Sequence, residues 1–173
     1  LDRSGAGAGN QRVLVGFDLS TLPAGATVNS AILQMQATAI SGNTNIDIHE
    51  LLQSWTEGGA SWLQESASTM WTTAGGTYDT TAAATLFTNA VGQHSWEITA
   101  LVQAWANGTK VNNGVLIGSP DAGGGTITYD SREGTMAPRL VINYTNTAPT
   151  LTGANDLGAM VEDAATNPGT LAS

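Results

Sequence analysis

The chain has no cysteine, few basic residues, few aromatic rings and no long apolar run, and each shortage removes a class of function. Without cysteine there is no disulfide frame, no thiolate metal site and no Cys nucleophile. Five Lys and Arg stand against 14 Asp and Glu, giving a formal charge of −9, and no two basic residues adjoin. Nucleic acid, anionic lipid and acidic polysaccharide each need a cluster of cations to replace their counterions, so none is expected as a direct partner. A contact bridged by a cation stays open. No apolar stretch approaches the ~20 residues of a membrane span, so no membrane insertion is expected. The chain opens on LDRSGAGAG, with neither an initiator Met nor a secretory pattern, and is expected to be a mature product or an excised part of something longer.

What is present points to strands. The 173 residues are 41% hydrophobic, enough for one domain with its own core, and only 11% are charged. The polar share falls instead to Thr, Ser, Asn, Gln and 21 glycines, a mixture suited to strands and tight turns. Period-two alternation marks half-buried strands. It places Val13, Val15 and Phe17 on one face of RVLVGFD, Leu33, Met35 and Ala37 on one face of AILQMQAT, and Ile46 and Ile48 opposite Asp47 and His49 in NIDIHEL. GVLIG, TITYDS (Ile127 and Tyr129 on one face) and RLVINY (Leu140, Ile142 and Tyr144 on one face) follow. The turn clusters PAGA, SGNT, TEGGA, NNG, PDAGGG and EGTMAP separate these runs. One segment differs: in ITALVQAWANG, Ile98, Leu101, Val102 and Trp105 recur at helical spacing, Thr99 is the expected N-cap and Gly108 the expected stop. The fold class expected is all-β, an antiparallel jelly-roll-like β-sandwich with one short helix near residues 99–107.

The character changes after Tyr144. Residues 1–145 read as the sandwich, 146–150 as a Pro-fixed linker, and 151–173 as an extended tail with three acids and no base. That tail is too short for its own core. It is expected to be the start of a truncated second repeat or a strand-exchange arm, self-associating with neighbouring copies by β-augmentation or end-to-end stacking into a filament.

Four runs carry a family likeness: RVLVGFDLSTLPAGATVNSAILQM, SWTEGGASW, SWEITALVQAWANGTKVNNGVLI and YDSREGTMAPRLVINY. In order and spacing they resemble the DNRLRE domain, an extracellular prokaryotic β-sandwich, and the NNG portion is similar to TGF-β-type propeptides. NTAPTLTGANDLGAMVED resembles the opening of cadherin-like and VCBS-type adhesin repeats. The resemblance implies a non-catalytic structural or adhesive module, extracellular, secreted or on the cell surface. It also implies an alternative, a carbohydrate-binding module for an extracellular polysaccharide, since some members take polyuronates such as alginate. With only Arg3, Arg12, Lys110, Arg132 and Arg139 scattered along this chain, a neutral glycan fits better than a polyanion.

Site residues follow from chemistry. His49 beside Asp47, and His94 in GQHSWE, meet no nucleophile at a telling spacing, and the carboxylate pairs Glu50 with Glu57 and Asp130 with Glu133 read as strand-end acids; no catalytic residue is assigned. Calcium is the metal an acidic extracellular module would hold. NTNID lacks the EF-hand glycine, so Asp121, Asp156, Glu162 and Asp163 are the candidate ligands. In DSREG, Arg132 either grips a sugar diol or pairs with a neighbouring acid to fix the turn. Strand residues share a face only at even separations, and Trp55 and Trp62 are an odd seven apart across a turn, so they form no continuous platform. Trp55, Trp62, Trp96 and Trp105 are therefore assigned to packing. Trp71, in the polar loop MWTTAGGTYD, is the ring expected at the surface and, with Tyr78 and Arg132, forms the expected sugar contact.

Overall fold

The computed structural model describes residues 11–119 and 125–146. Among these described residues, eight strands and one helix run in the order β1 (Val13–Val15), β2 (Thr27–Ser41), β3 (Thr44–Glu50), β4 (Ala84–Thr88), β5 (Gly92–Glu97), α1 (Thr99–Ala106), β6 (Val115–Gly118), β7 (Thr126–Tyr129) and β8 (Arg139–Thr145). They form two four-stranded antiparallel sheets, an all-β sandwich with one short helix. The first sheet is ordered β1-β6-β3-β4. In the second, the long β2 is central: β5 pairs with Ile32 to Ala37 along one side, and β8 then β7 follow one another along the other.

Alternation builds the core as expected along β2, where Ala31, Leu33, Met35 and Ala37 are buried and face Ile46, Ile48, Val115 and Ile117 of the first sheet. Trp96 is packed between the sheets and its indole N–H donates to the Ile46 carbonyl at 3.2 Å, which satisfies a polar group that burial would otherwise leave costly. Trp105 is buried on the inner face of α1 with Leu101 and Val102.

The helix has a job beyond plugging. Among the described residues, the first half of β2 lacks a strand on its β5 side, and α1 supplies the missing partners: Gln103 Oε1 accepts the Val28 N–H at 2.7 Å and Thr99 Oγ1 accepts the Ala31 N–H at 2.9 Å. This corrects the expected cap. Ile98 holds the N-cap position, Thr99 is the first helical residue, and its hydroxyl is engaged by β2 instead of by the helix's own amides. Gly108 does follow the helix with φ of +68°, and its N–H bonds to the Trp105 carbonyl.

Two features depart from simple alternation. Val115 and Ile117 face the core between the sheets, while Leu116 between them is buried on the outer face because the segment 52–79 folds over it; Asp47, also buried, accepts from the Thr85 hydroxyl on the neighbouring strand at 2.6 Å. Beneath the 52–79 segment lies a second cluster of Leu51, Trp71 and Leu116, flanked by Leu14, Trp55 and Tyr78. The segment closes on itself through Thr56 N–H to the Glu65 carbonyl and Trp71 N–H to the Leu63 carbonyl. Val13, expected inward, is 37% exposed because β1 is an edge strand.

Candidate functional site

Between the β1 edge of the first sheet and the β7–β8 edge of the second runs an open groove of about 550 Å³. Its apolar wall comes from Val13, Phe17, Trp55 and Pro138, and its polar rim from Glu57, Asp130, Arg132 and Glu133. Each side is fixed by backbone-level ties. On the β1 side, Asn112 Nδ2 donates to the Phe17 carbonyl at 2.8 Å and Trp55 Nε1 donates to the Asn113 carbonyl at 2.9 Å. Gly114 makes this possible: at φ of +83°, a Cβ there would collide with the Val15 carbonyl oxygen, so only glycine lets the two segments meet. The Asn-Asn-Gly motif is thus a knot between β1 and β6 that also holds the Trp55 ring at the groove wall.

On the other side, the turn after β7 is set by Asp130, whose N–H bonds to the Gln36 carbonyl at 2.9 Å and whose Oδ2 accepts the Met136 N–H at 3.1 Å. This turn holds out Arg132. Its guanidinium reaches Glu57 across the groove mouth at 3.1 Å and Glu133 beside it, also at 3.1 Å, while 73% of the side chain stays exposed. Glu133's carboxyl is held below its ordinary value, chiefly by its own backbone N–H and then by hydrogen bonds from Arg132 and Ser131. At the floor lies Tyr129, whose hydroxyl is 2.8 Å from His94 Nδ1. His94 Nε2 lies 2.9 Å from the Ala90 carbonyl, which can only accept, so Nε2 carries the proton and Nδ1 accepts from Tyr129. Burial pushes the Tyr129 hydroxyl's pKa well up, and it remains a neutral donor.

The three expected sugar contacts do not converge. Arg132 lines the groove. Trp71 is 5% exposed, so the expectation of a surface ring is corrected: its indole N–H donates to the Ser61 carbonyl at 2.9 Å inside the second cluster. Tyr78 lies over the first sheet, 4.9 Å from the His49 ring, and is not among the groove's lining residues. Between Tyr78 and Trp62 sits the Arg12 guanidinium, 5.0 Å and 4.9 Å from the two rings, donating to the Gly75 carbonyl at 2.7 Å. Trp62 and Trp55 are half-buried, Trp96 and Trp105 buried.

Of the carboxylate pairs, Glu50 and Glu57 line different cavities, whereas Asp130 and Glu133 share the groove rim. Glu50 is buried against Lys110, Glu57 pairs with Arg132, and Asp130 is occupied within its turn. His49 Nδ1 donates to the Asp79 carbonyl at 2.8 Å. The calcium candidates Asp121, Asp156, Glu162 and Asp163 lie outside the described residues, as do the linker beyond Asn146 and the tail. Among the described residues no cluster of three His, Asp or Glu is arranged to hold a metal, and no helix is long and apolar enough to cross a membrane.

Sequence reasoning missed the groove's other members. It gives Trp55 a packing role alone and Phe17, Glu57, Tyr129 and Glu133 no ligand role, yet all five line the groove. The one signal for them is the charge concentration in TEGG and DSREG.

An open groove with one aromatic wall and a rim of paired guanidinium and carboxylates has the chemistry of sugar recognition: rings face C–H surfaces and planar polar groups take hydroxyls. A family model decides the class. Carbohydrate-binding module family 96 matches residues 2–144. The chain belongs to that family. No curated protein matches the chain.

Membership corrects the expected relationship, since neither the DNRLRE domain nor a cadherin-like repeat was found. The physical reason lies in what carried the resemblance. Trp55, Trp105 and the Asn-Asn-Gly knot hold a sandwich together, and such packing and turn signals are set by the fold before any ligand. A family-96 module also shifts the weight from scaffold to glycan binding, the alternative of the two readings. Self-association through the tail, with the adhesin and filament roles, gains no support from the match.

Proposed function

We propose that this chain is a non-catalytic, extracellular carbohydrate-binding module that holds a neutral glycan in the groove between the β1 and β7–β8 edges. Membership of carbohydrate-binding module family 96 is the observation that carries the reading. Location follows from the groove's composition. Trp55 and Phe17 present apolar surface for a pyranose face, while Arg132, Glu57 and Glu133 offer donors and acceptors side by side for neighbouring hydroxyls.

Charge selects the ligand class. One guanidinium stands among three carboxylates at the rim (Glu57, Asp130, Glu133), a local balance of −2 within a chain of −9. A polyuronate would meet repulsion there, whereas an uncharged chain would not. Affinity electrophoresis tests this directly. Neutral β-glucan, xylan or mannan is expected to retard the module, with alginate leaving its mobility unchanged. Retardation by alginate alone, or by none of these, overturns the reading.

A further inference from the structure

A larger cavity lies elsewhere, at the helix end of the sandwich near the β4 and β5 edges, with a volume of about 650 Å³. Val28, Ala82, Ala83, Ile98 and Leu101 form its apolar wall. Glu50 and Lys110 also line it, and they are unequal partners: the Glu50 side chain is 6% exposed and Lys110 44%. Lys110 Nζ is the hydrogen-bonding partner of the Glu50 carboxylate among the described residues. A carboxylate offers about four acceptor sites and an ammonium three donors, so one mutual contact leaves acceptor and donor capacity in both groups.

That pairing is an odd choice for a purely structural tie. Burying a carboxylate carries a large desolvation cost that its partner must offset, and an apolar pair would join β3 to the segment after α1 at lower cost. An adjacent fixed acceptor and cationic donor beside an apolar wall is instead matched to a vicinal diol: one hydroxyl donates to Glu50, its neighbour accepts from Lys110, and the C–H face lies on Ala82, Ala83 and Leu101. We infer that this cavity is a second sugar-binding pocket, taking a neutral sugar residue through two neighbouring hydroxyls. The inference rests on the glycan-binding reading above. No residue lines both this cavity and the groove, so the module would engage a polysaccharide at two independent places and gain from avidity.

The test is a titration of the isotope-labelled chain with cellohexaose, xylohexaose, mannohexaose and laminarihexaose, following backbone amides by NMR and stoichiometry by calorimetry. With the sugar that binds, amides of Ala82, Ala83, Leu101 and Gln103 are expected to shift in addition to those of the groove, with two sites per chain. Glu50→Gln preserves shape and removes the charge, and Ala100→Met fills the mouth without touching the ion pair. Each is expected to weaken the second site about tenfold, in line with loss of a hydrogen bond to a charged group, while the groove amides shift as before; melting curves identify any variant that fails to fold. Shifts confined to the groove, at one site per chain, overturn the second pocket and leave the groove standing. Shifts confined to the cavity support the pocket and overturn the groove. Silence in both regions overturns both.

Discussion

Arg12 and Arg132 are the same residue type put to opposite uses. Arg12 is clamped between the rings of Trp62 and Tyr78 and donates to the Gly75 carbonyl, so its guanidinium ties the 52–79 segment to the outer face of the first sheet. Arg132 stands at the groove mouth, mostly exposed, with carboxylates on two sides. In the first region aromatic rings, a cation and a backbone carbonyl satisfy one another. The second is open, and its polar groups keep unused valence. Rings stand in both regions; what differs is that the Arg12 guanidinium is held against ring faces, whereas Arg132 is paired with carboxylates at the mouth of a groove lined by Trp55, Phe17 and Tyr129.

That contrast can be broken by mutation, and the largest effect belongs to the first region. Trp71→Ala removes a buried ring and its bond to Ser61; a loss of about 3–5 kcal/mol in denaturant unfolding is expected. A loss below about 1 kcal/mol would show the cover to be loosely held. Arg12→Ala should cost less, about 1–2 kcal/mol, from two stacked rings losing their cation.

Much of this layout was legible in the sequence, for a physical reason. Alternation along β2 and helical spacing at Ile98, Leu101, Val102 and Trp105 are local patterns that only burial of one face explains, and both elements formed as read. The cover was not legible. Trp71 lies among Thr, Gly and Asp, and only the return of its chain against Leu63 buries it; likewise Leu116 sits on an outward face that a distant segment happens to roof. The groove failed to appear for the same reason, because Trp55, Phe17 and Arg132 meet only once the two sheet edges are apposed. Thr99 shows a smaller version of the lesson: a good capping residue was recruited by β2, where an unpaired strand amide competed for its hydroxyl.

Smaller effects sharpen the open side. Arg132→Ala is expected to leave stability within about 0.5 kcal/mol of wild type by denaturant unfolding, because its ion pairs are solvated and screened. A larger loss would make the turn, and not a ligand, the reason for that arginine. The mildest effect is that of pH. Asp18 is held below its ordinary value by the Ser20 N–H and then the Ser20 hydroxyl, Asp79 by the Thr81 N–H, and Glu133 by its own N–H and then by Arg132 and Ser131. A depressed carboxyl binds fewer protons folded than unfolded. The stability these groups contribute is therefore present above about pH 4 and fades as pH falls through their folded values. Lys110 is raised, chiefly by its hydrogen bond to Glu50, so its share is present below about pH 10 and fades as pH climbs through its folded value. Melting temperature followed across both ends of the scale checks these signs, and a rise in stability on acidification would contradict them.

The difference between the two arginines is most directly measured with a glycan. Calorimetric titration of the neutral oligosaccharide that binds wild type, repeated on Arg132→Ala and Arg12→Ala at a temperature where both remain folded, compares the two regions in one quantity. About a tenfold loss of affinity at the groove site is expected for Arg132→Ala, in line with removal of a charged hydrogen-bonding group, and less than about twofold for Arg12→Ala. Equal losses, or a greater loss at Arg12, would contradict the assignment of the groove as the sugar site.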